Sequence, residues 1–131
     1  MLHKHFDLDE SLERLAHQAI GCCVKVHCEL GPGLIEKAYD RALRLELSAS
    51  GIPYETEKKY PIVYRGKAVY FHRLDLVVDQ KLLLELKCVD SFHPVHTAQV
   101  RSCLKVSRLR LGLLINFNVA ILPHGIKRIV L

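Results

Sequence analysis

Residues 74–87 read LDLVVDQKLLLELK, two apolar runs on either side of a short polar segment. Such a pattern predicts a β-hairpin with buried strands. Three charged residues interrupt the apolar runs: Asp75, Glu85 and Lys87. Because side chains alternate along a strand, Glu85 and Lys87 share one face and stand side by side. Charged residues within a hairpin that is otherwise buried indicate a candidate functional site in the core.

The position of Asp75 relative to Glu85 depends on the hairpin loop. A two-residue turn at positions 79 and 80 sends the two carboxylates to opposite faces, whereas a three-residue loop over 79–81, or a longer odd-numbered loop, puts both on one face. Facing carboxylates repel each other and are costly to bury unless a cation lies between them. Hard Mg²⁺ or Mn²⁺ takes oxygen ligands and supports phosphodiester hydrolysis, so the odd-numbered loop predicts such a site.

A simpler interpretation stands beside the metal site. Asp75 lies two residues from Arg73, and Glu85 lies two residues from Lys87, so both carboxylates could form ion pairs on a solvated sheet face. Charge patterns as short as D-x₉-E-x-K arise often by chance. Spacing alone therefore favours the ion pairs over the metal.

Two helices are predicted before the hairpin and one after it. The apolar spacing predicts a helix from about Asp9 to Leu30 and another from Leu34 to about Ser50, with the GPG at 31–33 between them. A third helix is predicted over residues 91–106, with Pro94 in its first turn.

Strands are predicted on both sides of the third helix. The segments YETEKK, PIVYRGK, AVYFHRLDLVVD and KLLLELKCV predict three or four antiparallel strands, with a turn at Arg65-Gly66. The segments RLGLLINFN and GIKRIVL predict two more. The expected order is α-α-β-β-β-β-α-β-β, a layered α/β architecture.

The composition sets the class of protein. The chain has 131 residues, half of them hydrophobic, which fits one compact domain over residues 1–131. A net charge of +5 favours the binding of polyanions, although no basic tail is present. No stretch reaches the roughly 20 apolar residues of a membrane span, and the N-terminal MLHKHFDLDE is too polar for a signal peptide, so we expect a cytoplasmic protein.

The cysteines point to reduced thiols. Five cysteines without a CxxC pair argue against a disulfide framework and against a zinc or iron–sulfur site. We expect most of these thiols to be buried. A metal site of Cys22, Cys23 and Cys28 with His17 or His27 is the alternative, although adjacent cysteines rarely chelate one ion well.

Residues 33–39, GLIEKAY, match the signature G-x-x-E-x-x-Y. Further matching segments follow in order: YRGK, RLDLVVD, LLLELK, VHTAQVRSCLK, LGLLINFN and GIKRIV. Over nearly its whole length the chain resembles the GxxExxY family, a bacterial and archaeal group placed in the PD-(D/E)XK nuclease superfamily. The resemblance implies a restriction-endonuclease-like core, a mixed β-sheet flanked by helices.

The resemblance also implies a catalytic set. Asp75, Glu85 and Lys87 match the D…ExK core, with Asp75 and Glu85 as ligands of Mg²⁺ or Mn²⁺ and the backbone carbonyl of Leu86 as a third ligand. Glu36 matches the motif glutamate that helps to bind the metal or its water. Relatives tend to have tyrosine where this chain has Cys103, but the metal-ligand positions are intact.

The third helix adds one more site residue. Gln99 matches the helical glutamine that orients water, Lys87 or a DNA phosphate in related branches. His96, three residues earlier, completes an HxxQ pattern and either touches the site or has a structural role. Glu36 has an alternative as well, since an acid at a helix start stabilises the dipole by roughly 0.3–1 kcal/mol. Tyr39 is expected to pack, with its hydroxyl bonded to Glu36 or to backbone.

The sequence therefore predicts a metal-dependent nuclease that acts on DNA more readily than on RNA. The alternatives are a catalytically inactive module that binds nucleic acid or protein, and a structural oligomerisation domain whose hairpin register separates Asp75 from Glu85. Superfamily analogy allows a homodimer. Arg73 could contact phosphate or pair with Asp75. Further candidate phosphate contacts are Lys58, Lys59, Arg65, Lys105, Arg108 and Arg110.

Overall fold

A computed structural model describes residues 8–131. Positions 1–7 lie outside the described residues, and they include most of the N-terminal stretch that is expected not to be a signal peptide. The helices are α1 (Glu10–Leu30), α2 (Glu36–Ala49) and α3 (Pro94–Ser107). The strands are β1 (Tyr54–Tyr64), β2 (Lys67–Val78), β3 (Leu82–Lys87), β4 (Leu111–Asn116) and β5 (Ile126–Val130). A short 3-10 helix, Leu122–Gly125, precedes β5.

The helix ends follow from local chemistry. The side chain of Asp9 accepts a hydrogen bond from the Ser11 backbone and caps α1, and Gly31, with a φ of 68°, ends it. Pro94 is the first residue of α3, where its missing N–H costs nothing, so α3 begins three residues later than predicted. None of the helices within residues 8–131 is long and apolar enough to cross a membrane.

The five strands form one mixed sheet in the order β1-β2-β3-β4-β5. All neighbouring pairs are antiparallel except β3 and β4, which run parallel and are joined through α3. Buried residues of α1 and α2 pack against one face of the sheet, and those of α3 pack against the other. The predicted fold class, a mixed sheet flanked by helices, is confirmed.

One strand fewer than the expected order precedes α3. The segments YETEKK and PIVY form a single strand, β1, instead of two, so the order is α-α-β-β-β-α-β-β. Pro61 does not break β1 because β1 is an edge strand, where a residue without an N–H can leave its outer side unbonded. The sequence left three or four strands open here, and the continuous β1 shows three, so the expected four-strand order was wrong.

The loop between β2 and β3 has the odd number of residues that the site requires. Val78 is paired with Leu82 and Val77 with Leu83, which leaves residues 79–81 as a three-residue loop. Asp79 and Gln80 adopt positive φ values of 48° and 59° to make this turn. Ladder pairing between β2 and β3 is confined to these two residue pairs, whereas β3 is paired with β4 over all six of its residues. The two strands therefore separate towards Asp75 and Glu85.

All five cysteines are free thiols, and three of them are buried. The burial of Cys22, Cys23 and Cys103 confirms the prediction that most of the thiols are buried. His27, the alternative ligand for the cysteine cluster, instead has its Nε2 atom 2.7 Å from the carbonyl oxygen of Val119. That hydrogen bond ties α1 to the segment after β4.

Candidate active site

A cleft of about 310 Å³ opens where β2 separates from β3 and faces α2. Four of the predicted site residues line it: Glu36, Asp75, Glu85 and Leu86. Lys87 does not line the cleft but is ion-paired with Glu85. The loop geometry and the early separation of the strands together create this space.

Glu85 and Lys87 project from β3 towards the α3 side of the sheet. Their strand neighbours Leu84 and Leu86 belong to the core with α1 and α2, and Leu83 belongs to the core with α3. The Lys87 Nζ atom lies 3.8 Å from the Glu85 Oε2 atom, and both side chains are only about one-fifth exposed. Burial raises the pKa of Glu85, Lys87 opposes this, and the charge of Asp75 raises the pKa further.

Asp75 lies at the mouth of the cleft, more than half exposed, with its Oδ1 atom 3.4 Å from the Nε atom of Arg73. Its neighbours Leu74 and Leu76 pack in opposite cores, although residues two apart share a face in a regular strand. Across from Asp75 in the register of the flanking pairs is Glu57, whose φ of 54° is uncommon for a residue other than glycine. The ladder has no pair at this position, so Asp75 is free from regular pairing.

Glu36 is the first residue of α2, and the helix has no side-chain cap at Ile35. Desolvation raises the pKa of Glu36, the charge of Lys87 lowers it, and the charge of Asp75 raises it. Glu36 therefore senses the charged residues of both strands from the opposite wall of the cleft. Its position also suits the alternative role of stabilising the helix dipole.

Tyr39 fixes the loop that precedes Glu36. Its hydroxyl donates to the Gly31 carbonyl at 2.5 Å and accepts from the Leu34 backbone at 3.1 Å. The buried ring stacks on Phe117, with the ring centroids 4.6 Å apart. The prediction that Tyr39 packs and bonds backbone is confirmed, and the final tyrosine of GLIEKAY has a structural role here.

The backbone of Phe117 connects this loop to the end of β3. Its N–H donates to the Lys87 carbonyl at 2.9 Å, which fixes that carbonyl on the β4 side of the strand. Because successive carbonyls of a strand point in opposite directions, the Leu86 carbonyl points to the β2 side, where the cleft lies. This is the direction required of a carbonyl that shares a cation with Glu85.

The α3 residues behave differently from the rest of the predicted set. Gln99 is exposed and is not among the residues that line the cleft. His96 accepts the His93 N–H through its Nδ1 atom at 3.1 Å and completes a capping box at the start of α3. Its observed contact is therefore structural.

The side chain through which α3 approaches the charged cluster is Cys103, one turn after Gln99. Burial, followed by the charges of Glu85 and Asp75, raises the pKa of Cys103 to about 11. The Sγ atom of Cys103 lies 3.1 Å from the Nε2 atom of His72, which joins α3 to β2.

Several charged residues of the cleft were not predicted from sequence. Asp40 and Arg44 follow Glu36 at four-residue intervals on α2 and form an ion pair 2.7 Å apart. The i, i+4, i+8 spacing would have placed them on one helix face with Glu36. Glu57, also in the cleft, gave no such signal because its place depends on an unusual backbone angle.

Within residues 8–131, no three or more His, Cys, Asp or Glu side chains are arranged to hold a metal ion. Asp75 is turned to Arg73, and Glu85 is turned to Lys87. The donor chemistry nevertheless fits Mg²⁺ or Mn²⁺, because carboxylates and a carbonyl surround one cleft and these ions prefer oxygen ligands. Holding an ion would require the carboxylates to turn away from their ion pairs.

The comparison with known families agrees with this site. A family model described as the PD-(D/E)XK nuclease superfamily matches residues 13–129, a range that includes every residue of the cleft. No curated protein and no solved structure matched the chain.

Proposed function

Because this chain belongs to the PD-(D/E)XK nuclease superfamily, we propose that it hydrolyses phosphodiester bonds in nucleic acid, DNA in preference to RNA, with Mg²⁺ or Mn²⁺. The observation that carries the proposal is the convergence of Glu36, Asp75 and Glu85 on one cleft, with Lys87 beside Glu85. The GLIEKAY segment supports placement in the GxxExxY family, with residues 1–131 as one nuclease-like domain.

Four groups of the cleft would hold the metal: the carboxylates of Asp75, Glu85 and Glu36, and the carbonyl of Leu86. A divalent cation bound there supplies Lewis-acid activation of the phosphate and lowers the pKa of the attacking water. Mutual repulsion among the carboxylates contributes to the raised pKa values of Glu36 and Glu85, and a cation relieves such repulsion. Raised acid pKa values in a cleft are typical of functional sites.

The basic residues beside the carboxylates supply the remaining chemistry. The Lys87 ammonium, held against Glu85, stabilises negative charge that develops on the phosphorane or holds the attacking water. The Arg73 guanidinium lines the cleft and binds a phosphate once Asp75 has turned away from it. For Gln99, support for a role in orienting water, Lys87 or phosphate comes from the family resemblance.

A second candidate function is a module that binds nucleic acid or protein without turnover. The ion pairs Arg73–Asp75 and Lys87–Glu85 favour it, because each carboxylate has a cationic partner in the absence of a metal. Such a module would bind nucleic acid with a strong salt dependence and leave it intact.

Location and assembly belong to the same proposal. Five free thiols, none of them in a disulfide, support a cytoplasmic location, where thiols stay reduced. A homodimer with two clefts is proposed by superfamily analogy.

The test is a cleavage assay on single-stranded, duplex and branched DNA and on RNA, with Mg²⁺ or Mn²⁺. Asp75→Asn, Glu85→Gln and Lys87→Met should each lower the rate by about a hundredfold or more, because each removes a group aimed at the reacting phosphate or its metal. Glu10→Gln, which changes an exposed carboxylate on α1, should cleave like the wild type. Thermal unfolding of each variant checks that it folds.

Two outcomes would count against the nuclease. If the wild type cleaves no substrate with either ion but binds nucleic acid in a salt-dependent way, the second candidate replaces it. If cleavage persists in Glu85→Gln, the reaction takes place elsewhere on the protein and the proposed site is wrong.

A further inference from the structure

The outer part of the β1–β2 hairpin, residues 58–73, extends the sheet beyond the cleft and is here called the hairpin arm. β1 and β2 have 11 and 12 residues, whereas the neighbouring β3 has six, so β3 cannot support the arm along its length. The arm contains five cationic residues and no carboxylate, against a net charge of +5 for the whole chain. Its cations are Lys58, Lys59, Arg65, Lys67 and Arg73.

The arm also carries the densest group of exposed apolar side chains in the described structure. Their exposed fractions range from 58% to 70%, and they are Val63, Tyr64, Val69, Tyr70 and Phe71. Exposed aromatic and aliphatic groups gathered in one place indicate a binding surface. Aromatic rings among cations are typical of surfaces that bind single-stranded nucleic acid.

One face of the arm leads out of the cleft. Lys59 is directly opposite Arg73, and the next pair on that face is Pro61 opposite Phe71. Like charges directly opposite in a sheet are destabilising, and at this pair the charge of Arg73 is offset by its ion pairs with Asp75 and Glu57. A phosphate between Lys59 and Arg73 takes over this role once those carboxylates turn away. Since Arg73 also lines the cleft, the order along this face is the cleft, a pair of cations and then an aromatic ring.

A second copy of the chain suits this surface poorly. Pro61 lacks an N–H, and the register shifts between Ile62 and Val63, so the outer edge of β1 is interrupted for strand addition. The cations of one arm would also repel those of another. Charge complementarity therefore favours a polyanion as the occupant.

We propose that the hairpin arm binds an unpaired segment of the nucleic-acid substrate where it leaves the cleft. Lys59 and Arg73 contact phosphate, and Phe71 stacks on a base. The inference rests on the proposed function in taking nucleic acid as the substrate. It adds a specificity, because stacking on a side-chain ring needs a base whose face is free, as in single strands, overhangs and bulges.

The test measures binding without cleavage, by fluorescence anisotropy in EDTA. The probes are a labelled single-stranded DNA of mixed sequence and a blunt duplex of the same sequence. Phe71→Ala should weaken binding of the single strand about five- to a hundredfold, and Phe71→Trp should preserve it, because stacking depends on the ring. Lys59→Ala should reduce the slope of log K against log salt by about one.

Leu45→Ala is the matched control, since Leu45 is an apolar side chain on α2 that is 74% exposed and lies outside both the arm and the cleft. Its affinity for the single strand should equal that of the wild type. Circular dichroism and thermal unfolding show whether each variant keeps the fold, which is expected because Phe71 is 58% exposed.

Four results separate this inference from the proposed function. If Phe71→Ala binds the single strand like the wild type, the arm inference is overturned while cleavage by the wild type still supports the nuclease. If Phe71→Ala loses affinity but the wild type cleaves nothing, the arm inference stands and the nuclease fails. If the wild type binds the blunt duplex as tightly as the single strand, and Phe71→Ala loses the same affinity for both, base stacking by Phe71 is overturned. If light scattering shows a dimeric wild type and a monomeric Phe71→Ala variant, and the variant keeps its DNA affinity, the arm is an interface between copies and the inference is overturned.

Discussion

Tyr39 shows how one side chain connects the two halves of the cleft. Its hydroxyl bonds to the backbone at Gly31 and Leu34, and its ring stacks on Phe117, which in turn bonds the Lys87 carbonyl. Glu36 on α2 and the β3 strand are thus held relative to each other through one buried ring. Of the two side chains that the G-x-x-E-x-x-Y signature specifies, Tyr39 has a structural role and Glu36 is the one that faces the cleft.

Tyr39→Phe should lower the free energy of unfolding by about 1 kcal/mol, because it removes two hydrogen bonds whose backbone partners are partly reached by water. Urea unfolding measures this change. Tyr64→Phe, which alters a hydroxyl on a side chain that is 67% exposed, should be neutral. Equal stabilities for Tyr39→Phe and the wild type would show that the loop is held without the hydroxyl.

At the residue scale, some features of the site follow from the sequence and others do not. The positions of Asp75, Glu85 and Lys87 follow from the pattern of charges in apolar runs. The positive φ of Glu57 and the packing of Leu74 and Leu76 in opposite cores do not, because alternation assumes a regular strand.

At the scale of elements, the packing of α3 on the sheet sets the far side of the site. α3 crosses β4 at Gly112, where an added Cβ atom would lie 2.9 Å from the Cγ1 atom of Val100. The glycine lets the helix approach the sheet closely enough for Cys103 to reach the charged cluster. Nothing in the sequence LGLLINFN marks this glycine as a contact point, since the contact is with a different element.

Gly112→Ala should lower the free energy of unfolding by about 1–3 kcal/mol, because the new methyl group overpacks the interface between α3 and β4. Val100→Ala in the same chain should recover part of the loss, which a double-mutant cycle measures. Gly21→Ala is the control in the opposite direction. A Cβ there meets nothing within 4 Å, and alanine in a helix interior should stabilise by roughly 0.5–1 kcal/mol. Additive effects of Gly112→Ala and Val100→Ala would contradict the proposed contact.

At the scale of the whole molecule, the cleft couples folding to charge. The pKa values of Glu36 and Glu85 are raised in the folded protein. The native state therefore binds more protons than the unfolded state above the ordinary glutamate value of 4.5, and these two groups lower stability as the pH rises from there. A divalent cation should offset this loss, because it binds the deprotonated carboxylates.

Mn²⁺ should raise the melting temperature by several degrees when it is at about 100 times its dissociation constant. The increase should be larger at about pH 7 than at about pH 5, because protons compete for the carboxylates at the lower pH. Differential scanning calorimetry measures both effects. Asp75→Asn and Glu85→Gln should lose the increase, and Glu10→Gln should keep it. An increase that survives in Glu85→Gln would show that the ion binds outside the cleft.

The sequence by itself determined the three helices, most of the strand segments and the charged residues of the central hairpin, because periodicity and turn chemistry depend on neighbours in the chain. It left a two-residue turn and odd-numbered loops open around residues 79–81, and the structure has the three-residue loop. Only the tertiary structure decided that β2 leaves β3 after two residue pairs, that Tyr39 reaches Phe117 and that Gln99 stays outside the cleft. These features depend on how helices from distant parts of the chain pack against the sheet, and no local pattern specifies that packing.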